Sequence, residues 1–179
     1  MRGHTHALFG VTTVAAANAL TGFVQPHVIK GVPAGLAMCA GAAILGALLP
    51  DIDAEDSAIK RELGTAGALT SFGLRLFGVA HRGLTHYGVT ALLVMVASWL
   101  IGLRLGCADV GLAFGLGYLS HVAVADAMTQ YGIPLLWPLP GRFHLLPRAL
   151  RIKTGGPAEA LVFMLVGAGL VWLSMGNIK

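Results

Sequence analysis

The sequence predicts an all-α integral membrane protein, with about five transmembrane helices and short interfacial helices forming a single membrane-embedded helical domain over residues 1–179. Three observations predict it. Of the residues, 56% are hydrophobic and only 11% charged, where a soluble chain is about 25% charged, and the mean hydropathy is +0.77. The apolar residues fall into five runs, each near the roughly 20 residues needed to cross hydrocarbon at about 1.5 Å per residue. The 25 glycines cluster within these runs, as in packed transmembrane helices, where small residues let backbones approach.

The first span is read at His6–Val24, ending near Gln25-Pro26-His27, and the second at Gly31–Pro50, stopped by an Asp-rich stretch. Residues 51–82 form a polar connection in which Ile59, Leu63, Leu69, Phe72 and Leu76 can line one face of short interfacial helices. Leu84–Leu103 is the third span and Val110–Met128 the fourth. A proline-rich, basic connection over 131–156 leads to the fifth, Pro157–Met175. Cys39 lies inside one apolar run and Cys107 at the edge of another, too far apart to bridge, so two free thiols are expected. No cleavable signal is expected either. His4 and His6 occupy the start, and no small-residue cleavage site follows a short apolar core.

The formal charge of +4 does not point to nucleic acid. The basic residues sit in loops beside apolar spans, where they set topology and meet anionic membrane lipid. With five alternating spans, one face holds the N-terminus, 51–82 and 131–156. That face carries nine of the twelve Lys and Arg residues: Arg2, Lys60, Arg61, Arg75, Arg82, Arg142, Arg148, Arg151 and Lys153. Lys30, Arg104 and Lys179 fall on the other. The first face is therefore expected to be cytoplasmic in a multi-pass inner-membrane protein, with the C-terminus outside.

The same face collects the chemistry. His4 and His6 begin the first span, Asp51 and Asp53 end the second, His81 and His86 begin the third, and His121 and Asp126 lie late in the fourth. The acids of LLPDID (Leu48–Asp53) either end a helix as solvated groups or supply oxygen ligands or a general base. In HRGLTH (His81–His86), Arg82 can hold a phosphate or carboxylate with its planar fork. An imidazole and a carboxylate within one span read as a functional site by default. Histidine nitrogens with carboxylate oxygens are the ligand set of Zn²⁺, with Mn²⁺ and Fe²⁺ as alternatives. Six or seven such groups exceed the four of one closed zinc site and point to two ions sharing ligands. His27 and His144 fall in loops and are read as solvated.

Thr5-His6, LLPDID, HRGLTH and GYLSH…DAMT…GIPLLWP, in that order over residues 5–138, resemble the YdjM-like, LexA-regulated, membrane-bound metal-dependent hydrolases. The resemblance implies metal-site roles for His6, Asp51, His81, His86, His121 and Asp126, with Asp53 in support. A more distant similarity is to the all-helical, multi-zinc phospholipase C group. The family spaces its span-four pair H-x-x-x-D, whereas here Ala125 takes that place and the acid is Asp126. Five residues rotate about 140° around a regular α-helix. Either a π-bulge restores the face, or the helix has loosened by Asp126, or Asp126 is not a ligand.

The function expected on these grounds is metal-dependent hydrolysis of a phosphoester or lipid-like substrate at the cytoplasmic membrane face. Asp51 or Asp53 would take the proton from an activated water and Arg82 would hold the anionic group. The alternative is a metal or proton transporter using the same residues as a relay. A transporter needs polar groups towards the far face, and Gly31–Ala40 and Trp99–Leu105 are nearly all apolar.

Overall fold

The protein is described by a computed structural model that covers residues 1–29, 31–53, 64–65 and 83–176. Among the described residues there are five long helices: α1 (Gly3–Thr21), α2 (Gly35–Leu48), α3 (Gly88–Leu105), α4 (Ala108–Leu119) and α5 (Pro157–Gly176). Local chemistry sets their ends. Gly22 closes α1 at φ 62°, donating to the Asn18 carbonyl, while the Asn18 side chain accepts the Val24 N–H at 3.0 Å. Gly106 closes α3 in the same left-handed conformation, which costs glycine nothing. Pro50 supplies no N–H, and past Leu48 the chain of α2 tightens into a 3₁₀ turn, Leu49–Asp53. Pro157 opens α5, where a missing N–H is harmless.

Four segments are long and apolar enough to span a membrane: Gly35–Ile52, Gly88–Leu105, Ala108–Met128 and Pro157–Met175. α1 has the length, at 19 residues, but its polar residues, from His4, Thr5 and His6 to Asn18 and Thr21, lower its hydropathy. It nevertheless packs against α2, α4 and α5 as an equal member of the bundle. The second span starts later than the sequence predicts, because Val28–Ile29 and Val32–Pro33 pair as a two-stranded antiparallel ribbon. Cys39 and Cys107 are free thiols, as expected. The expected interfacial helices bearing Ile59, Leu63, Leu69, Phe72 and Leu76 lie outside the described residues.

α4 is central, with α2 and α3 as its main neighbours. α3 and α5 are peripheral and turn large apolar side chains outwards, among them Leu93, Ile101, Leu165 and Trp172. Apolar exposure on this scale is a lipid-facing surface, since soluble monomers rarely show contiguous patches beyond a few hundred Å². α2 meets α4 backbone to backbone. A Cβ on Gly46 would run into the Phe114 carbonyl, and one on Gly117 into the Ala43 carbonyl. Without an apolar solvent to escape from, membrane helices gain their association through such close packing.

The connection over 129–156 folds back across one end of the bundle. Leu145 N–H reaches the Ala127 carbonyl at 2.8 Å and Ile152 N–H the Met128 carbonyl at 2.9 Å, so carbonyls left over where the α4 segment ends find donors. The start of α1, the end of α2, the start of α3, the end of the α4 segment and the start of α5 all lie at this end.

Replacing Gly117 with Ala is expected to lower the thermal unfolding midpoint in detergent by an amount equivalent to about 1–3 kcal/mol, the usual range for overpacking. Gly41→Ala, whose Cβ would meet nothing within 4 Å, serves as the control and should be neutral or slightly stabilising. Equal behaviour of the two variants would show that the α2–α4 approach is not tight.

Candidate metal centre

Five side chains from four different stretches meet at the capped end of the bundle. His6 comes from the first turn of α1, Asp51 from the 3₁₀ turn after α2, and His86 from a 3₁₀ turn, Leu84–His86, that precedes α3. His121 and Asp126 follow α4. His6 and His121 stack with ring centroids 3.8 Å apart, and His86 stands edge-on to His121 at 5.3 Å. Around these rings the carboxylates close the cage. Asp51 lies 3.6 Å from His121 Nε2, 3.7 Å from His86 Nε2 and 4.0 Å from His6 Nε2. Asp126 lies 3.4 Å from His86 Nε2, 3.6 Å from His6 Nε2 and 3.9 Å from His121 Nε2. The Met1 amino nitrogen is 3.5 Å from Asp126.

The span-four segment carries the extra residue in a π-helix, Ser120–Ala125, ended by the Asp126 N–H donating to the His121 carbonyl. That i→i+5 bond joins the very residues whose five-residue spacing a regular α-helix would separate, and brings them to one face. The chain then tightens into a 3₁₀ turn, Asp126–Met128, in which the Thr129 hydroxyl donates to the Asp126 carbonyl at 2.7 Å.

The donor chemistry fits a cation. His6, His86, His121 and Asp126 are fully buried, while the Asp51 side chain is 21% exposed and marks the opening of the site. Among the described residues, neither ring nitrogen of His6 nor Nε2 of His121 has a hydrogen-bond partner, a costly state for buried polar atoms. The His121 Nδ1–H donates to the Ala47 carbonyl at 2.6 Å, which leaves the Nε2 lone pair aimed at the carboxylates, the outer-shell arrangement usual for ligating histidines. Separations of 3.4–4.0 Å are long for hydrogen bonds. They approach the roughly 3.3–3.6 Å between donors that share a tetrahedral ion at about 2.0–2.2 Å.

Two triads, His6–His121–Asp126 and Asp51–His86–His121, each offer donor atoms within 4.8 Å of one another. They overlap at His121, whose Nε2 has a single lone pair and serves one ion. One divalent cation there would balance the charge of the two carboxylates among three neutral imidazoles. A second ion would bring excess positive charge and call for a further anion.

The other expected site residues are not all among the described ones. His81 and Arg82 lie outside the described residues. Asp53 ends the 3₁₀ turn that presents Asp51, and its side chain is not described. His4 points elsewhere, with its ring edge-on to Phe163 at 5.3 Å.

Some supports were not picked out in the sequence. Glu159 is buried and accepts from the Arg2 N–H, the Thr5 hydroxyl and the Gly155 N–H at 2.5, 2.8 and 2.6 Å, fixing α1 to α5 beside His6. A lone acid in the first turn of an apolar span was the available hint. The Tyr118 hydroxyl donates to the Thr85 carbonyl at 2.7 Å and so holds the turn that presents His86. At the far end, His27 is not a solvated loop residue. It contacts both oxygens of Asp109 at 2.8 and 2.9 Å, and Gln25 N–H donates to the same carboxylate. His144 likewise has a partner, the Thr129 carbonyl at 3.3 Å.

Deleting Ala125 should remove the π-turn and leave a plain helix carrying H-x-x-x-D. Metal content of the purified deletion variant is expected to stay near wild type, whereas inserting a second alanine after Ala125 should abolish it. Loss of metal on deletion, with the protein still folded by circular dichroism, would show that the π-turn aims more than this one pair.

A family profile described as YdjM inner membrane protein matches residues 1–177. The inner membrane protein YdjM of Escherichia coli (strain K12) is 36% identical over 134 residues, which cover 73% of this chain and 64% of the relative, and that of Shigella flexneri matches to the same extent. The match thus spans somewhat less than two thirds of the length of these curated relatives. No solved structure matches the chain. With the match running over nearly the whole sequence, the chain belongs to the YdjM inner membrane protein family.

Proposed function

We propose that the protein is a metal-dependent hydrolase acting on a phosphoester or lipid-like substrate at the cytoplasmic face of the inner membrane. The observation that carries the reading is the convergence of three imidazoles and two carboxylates in a buried cage that opens at Asp51. His6, His86, His121, Asp51 and Asp126 would hold the ion, with zinc favoured by the donor set and manganese or iron as alternatives. A divalent ion held there would lower the pKa of a bound water from about 15.7 towards 7 and would polarise a phosphoryl oxygen.

The chain's own residues divide the remaining work. Asp126, sealed from solvent, balances charge and orients the histidines. Asp51 is the acid of the pair with access to the opening, so it is the one placed to accept a proton and pass it outwards. Asp53, two residues on, supports it or, if a second ion is held, joins the ligands. Arg82 is four residues before His86 and is assigned the anionic group of the substrate.

The structure gives the transport alternative one observation, the buried Asp109 with His27 at the far end. Asp109 and His121 are twelve residues apart along the α4 segment, about 18 Å at helical rise. Val14, Cys39, Ala43 and Ala113 form a buried apolar cluster between α1, α2 and α4. A relay needs polar groups or water across that interval, which the cluster does not supply.

Elemental analysis of the purified protein is expected to find at least one divalent ion per chain, lost in His121→Ala and Asp126→Asn. Hydrolysis of phospholipid or of a chromogenic phosphodiester should disappear with the metal and with Asp51→Asn. Bound metal without hydrolysis, together with metal-dependent flux in proteoliposomes, would move the assignment to transport.

Sidedness has its own test. In a Cys107→Ser background, a membrane-impermeant maleimide applied to spheroplasts should label a cysteine placed at Arg104 and leave one at Arg148 unmodified. The reverse pattern would put the site outside.

A further inference from the structure

We infer that the seam between α1 and α5 binds one anionic phospholipid, at a position separate from the metal centre. Two cavities lie along this seam. At the capped end, a cleft of about 200 Å³ is lined by Arg2, His4, Thr5 and Glu159 on its polar side and by Phe163 and Met164 on its apolar side. Further along, a larger cavity of about 550 Å³ is bounded by Val11, Val14 and Ala15 of α1, Leu36 and Ala40 of α2, and Leu170 of α5. The first holds the charged and polar side chains, and the second is apolar except for Asn18 and Ser174 at its far end. That order matches an amphiphile with its head at the capped end.

Helix geometry separates this seam from the metal centre. His4 and His6 are two residues apart on α1, about 200° around the axis, so they face opposite ways. His6 enters the metal cage, and His4 lines the cleft. From His4 to Asn18 is fourteen residues, about 21 Å of rise, enough to follow an acyl chain through the roughly 15 Å depth of one leaflet. On α5, Gly167 falls between the residues that line the two cavities, and a Cβ there would touch Leu8 at 3.8 Å.

Charge selects the head. Both Glu159 oxygens are occupied by the Arg2 and Gly155 N–H groups and the Thr5 hydroxyl. The Arg2 guanidinium, exposed at the cleft, makes no hydrogen bond or ion pair among the described residues. Gly155 leaves room beside it, since a Cβ there would stand 3.3 Å from Arg2 Nη2. A guanidinium and an imidazole that line one cleft can together recognise a phosphodiester oxygen pair. Phe163, 37% exposed, and Met164, 61% exposed, extend the site directly into the surrounding lipid. A free phosphate ion would gain nothing from that apolar wall.

The test is thermal unfolding of the purified wild-type protein in detergent with three additives. These are phosphatidylglycerol, phosphatidylcholine with the same chains, and glycerol phosphate as the head alone. Phosphatidylglycerol is expected to raise the midpoint by several degrees, and the other two are not. In Arg2→Ala, the phosphatidylglycerol concentration giving half the shift should rise about fivefold, the factor one cation contributes beside an anionic lipid. Ala15→Phe, which fills the apolar cavity, should abolish the shift while metal content stays at the wild-type level. An equal shift with phosphatidylcholine overturns the inference, as does one with glycerol phosphate, or an undiminished response in both variants. Should a variant fail to fold, the three-additive series on wild type decides alone. Metal content is read separately, so failure here leaves the hydrolase proposal standing.

Discussion

Burying two carboxylates and three imidazoles in one cage at the end of a membrane bundle is the constraint on which the rest of the structure depends. His6 and His121 present ring nitrogens with no hydrogen-bond partner among the described residues, and their separations from Asp51 and Asp126 are too long for good hydrogen bonds. In a medium that cannot solvate them, such groups are stable only around a compensating charge. A divalent cation held between them would supply it. The cage in turn dictates what the helices must do, since its members come from stretches separated by up to 120 residues and must be held to within tenths of an ångström.

The backbone contacts of α2 explain how that tolerance is met. Gly46 and Gly117 let α2 and α4 touch carbonyl to helix, and one residue beyond Gly46 the Ala47 carbonyl accepts the His121 Nδ1–H. The same close approach that associates the helices therefore sets the tautomer and ring orientation of a site residue. Glu159 does similar work across α1 and α5, with two hydrogen bonds to the start of α1 beside His6 and a third from the Gly155 N–H. Outside this framework, α3 and α5 are left to face lipid, and little of either is buried.

The bundle is polar at both ends and apolar between. Asp109, His27 and the Gln25 backbone form a tight group at the far end, where they anchor the 22–34 connection to the start of α4. The apolar cluster of Val14, Cys39, Ala43 and Ala113 keeps the two ends apart. The cage opens at Asp51, and the apolar cluster lies between it and the far end of the bundle.

Much of this was determined by the sequence alone. Apolar run length and composition set the helical membrane class, because the bilayer demands about 20 residues per crossing whatever the packing. Span alternation placed His6, Asp51, His86, His121 and Asp126 at one end, and the five-residue spacing of the last pair left a π-turn as one of three outcomes. What only the tertiary structure decided is which atoms meet. The Ala47 carbonyl has no side-chain signature, Glu159 pairs with the Thr5 hydroxyl and the Arg2 N–H 154 and 157 residues away, and His27, read as a solvated loop residue, finds Asp109 across 82. The physical reason is the range of the forces. Hydrophobic thickness and helical period act locally and leave their mark in composition and spacing, whereas a hydrogen bond to a main-chain group depends on helix approach at a few tenths of an ångström, and any residue can offer the carbonyl.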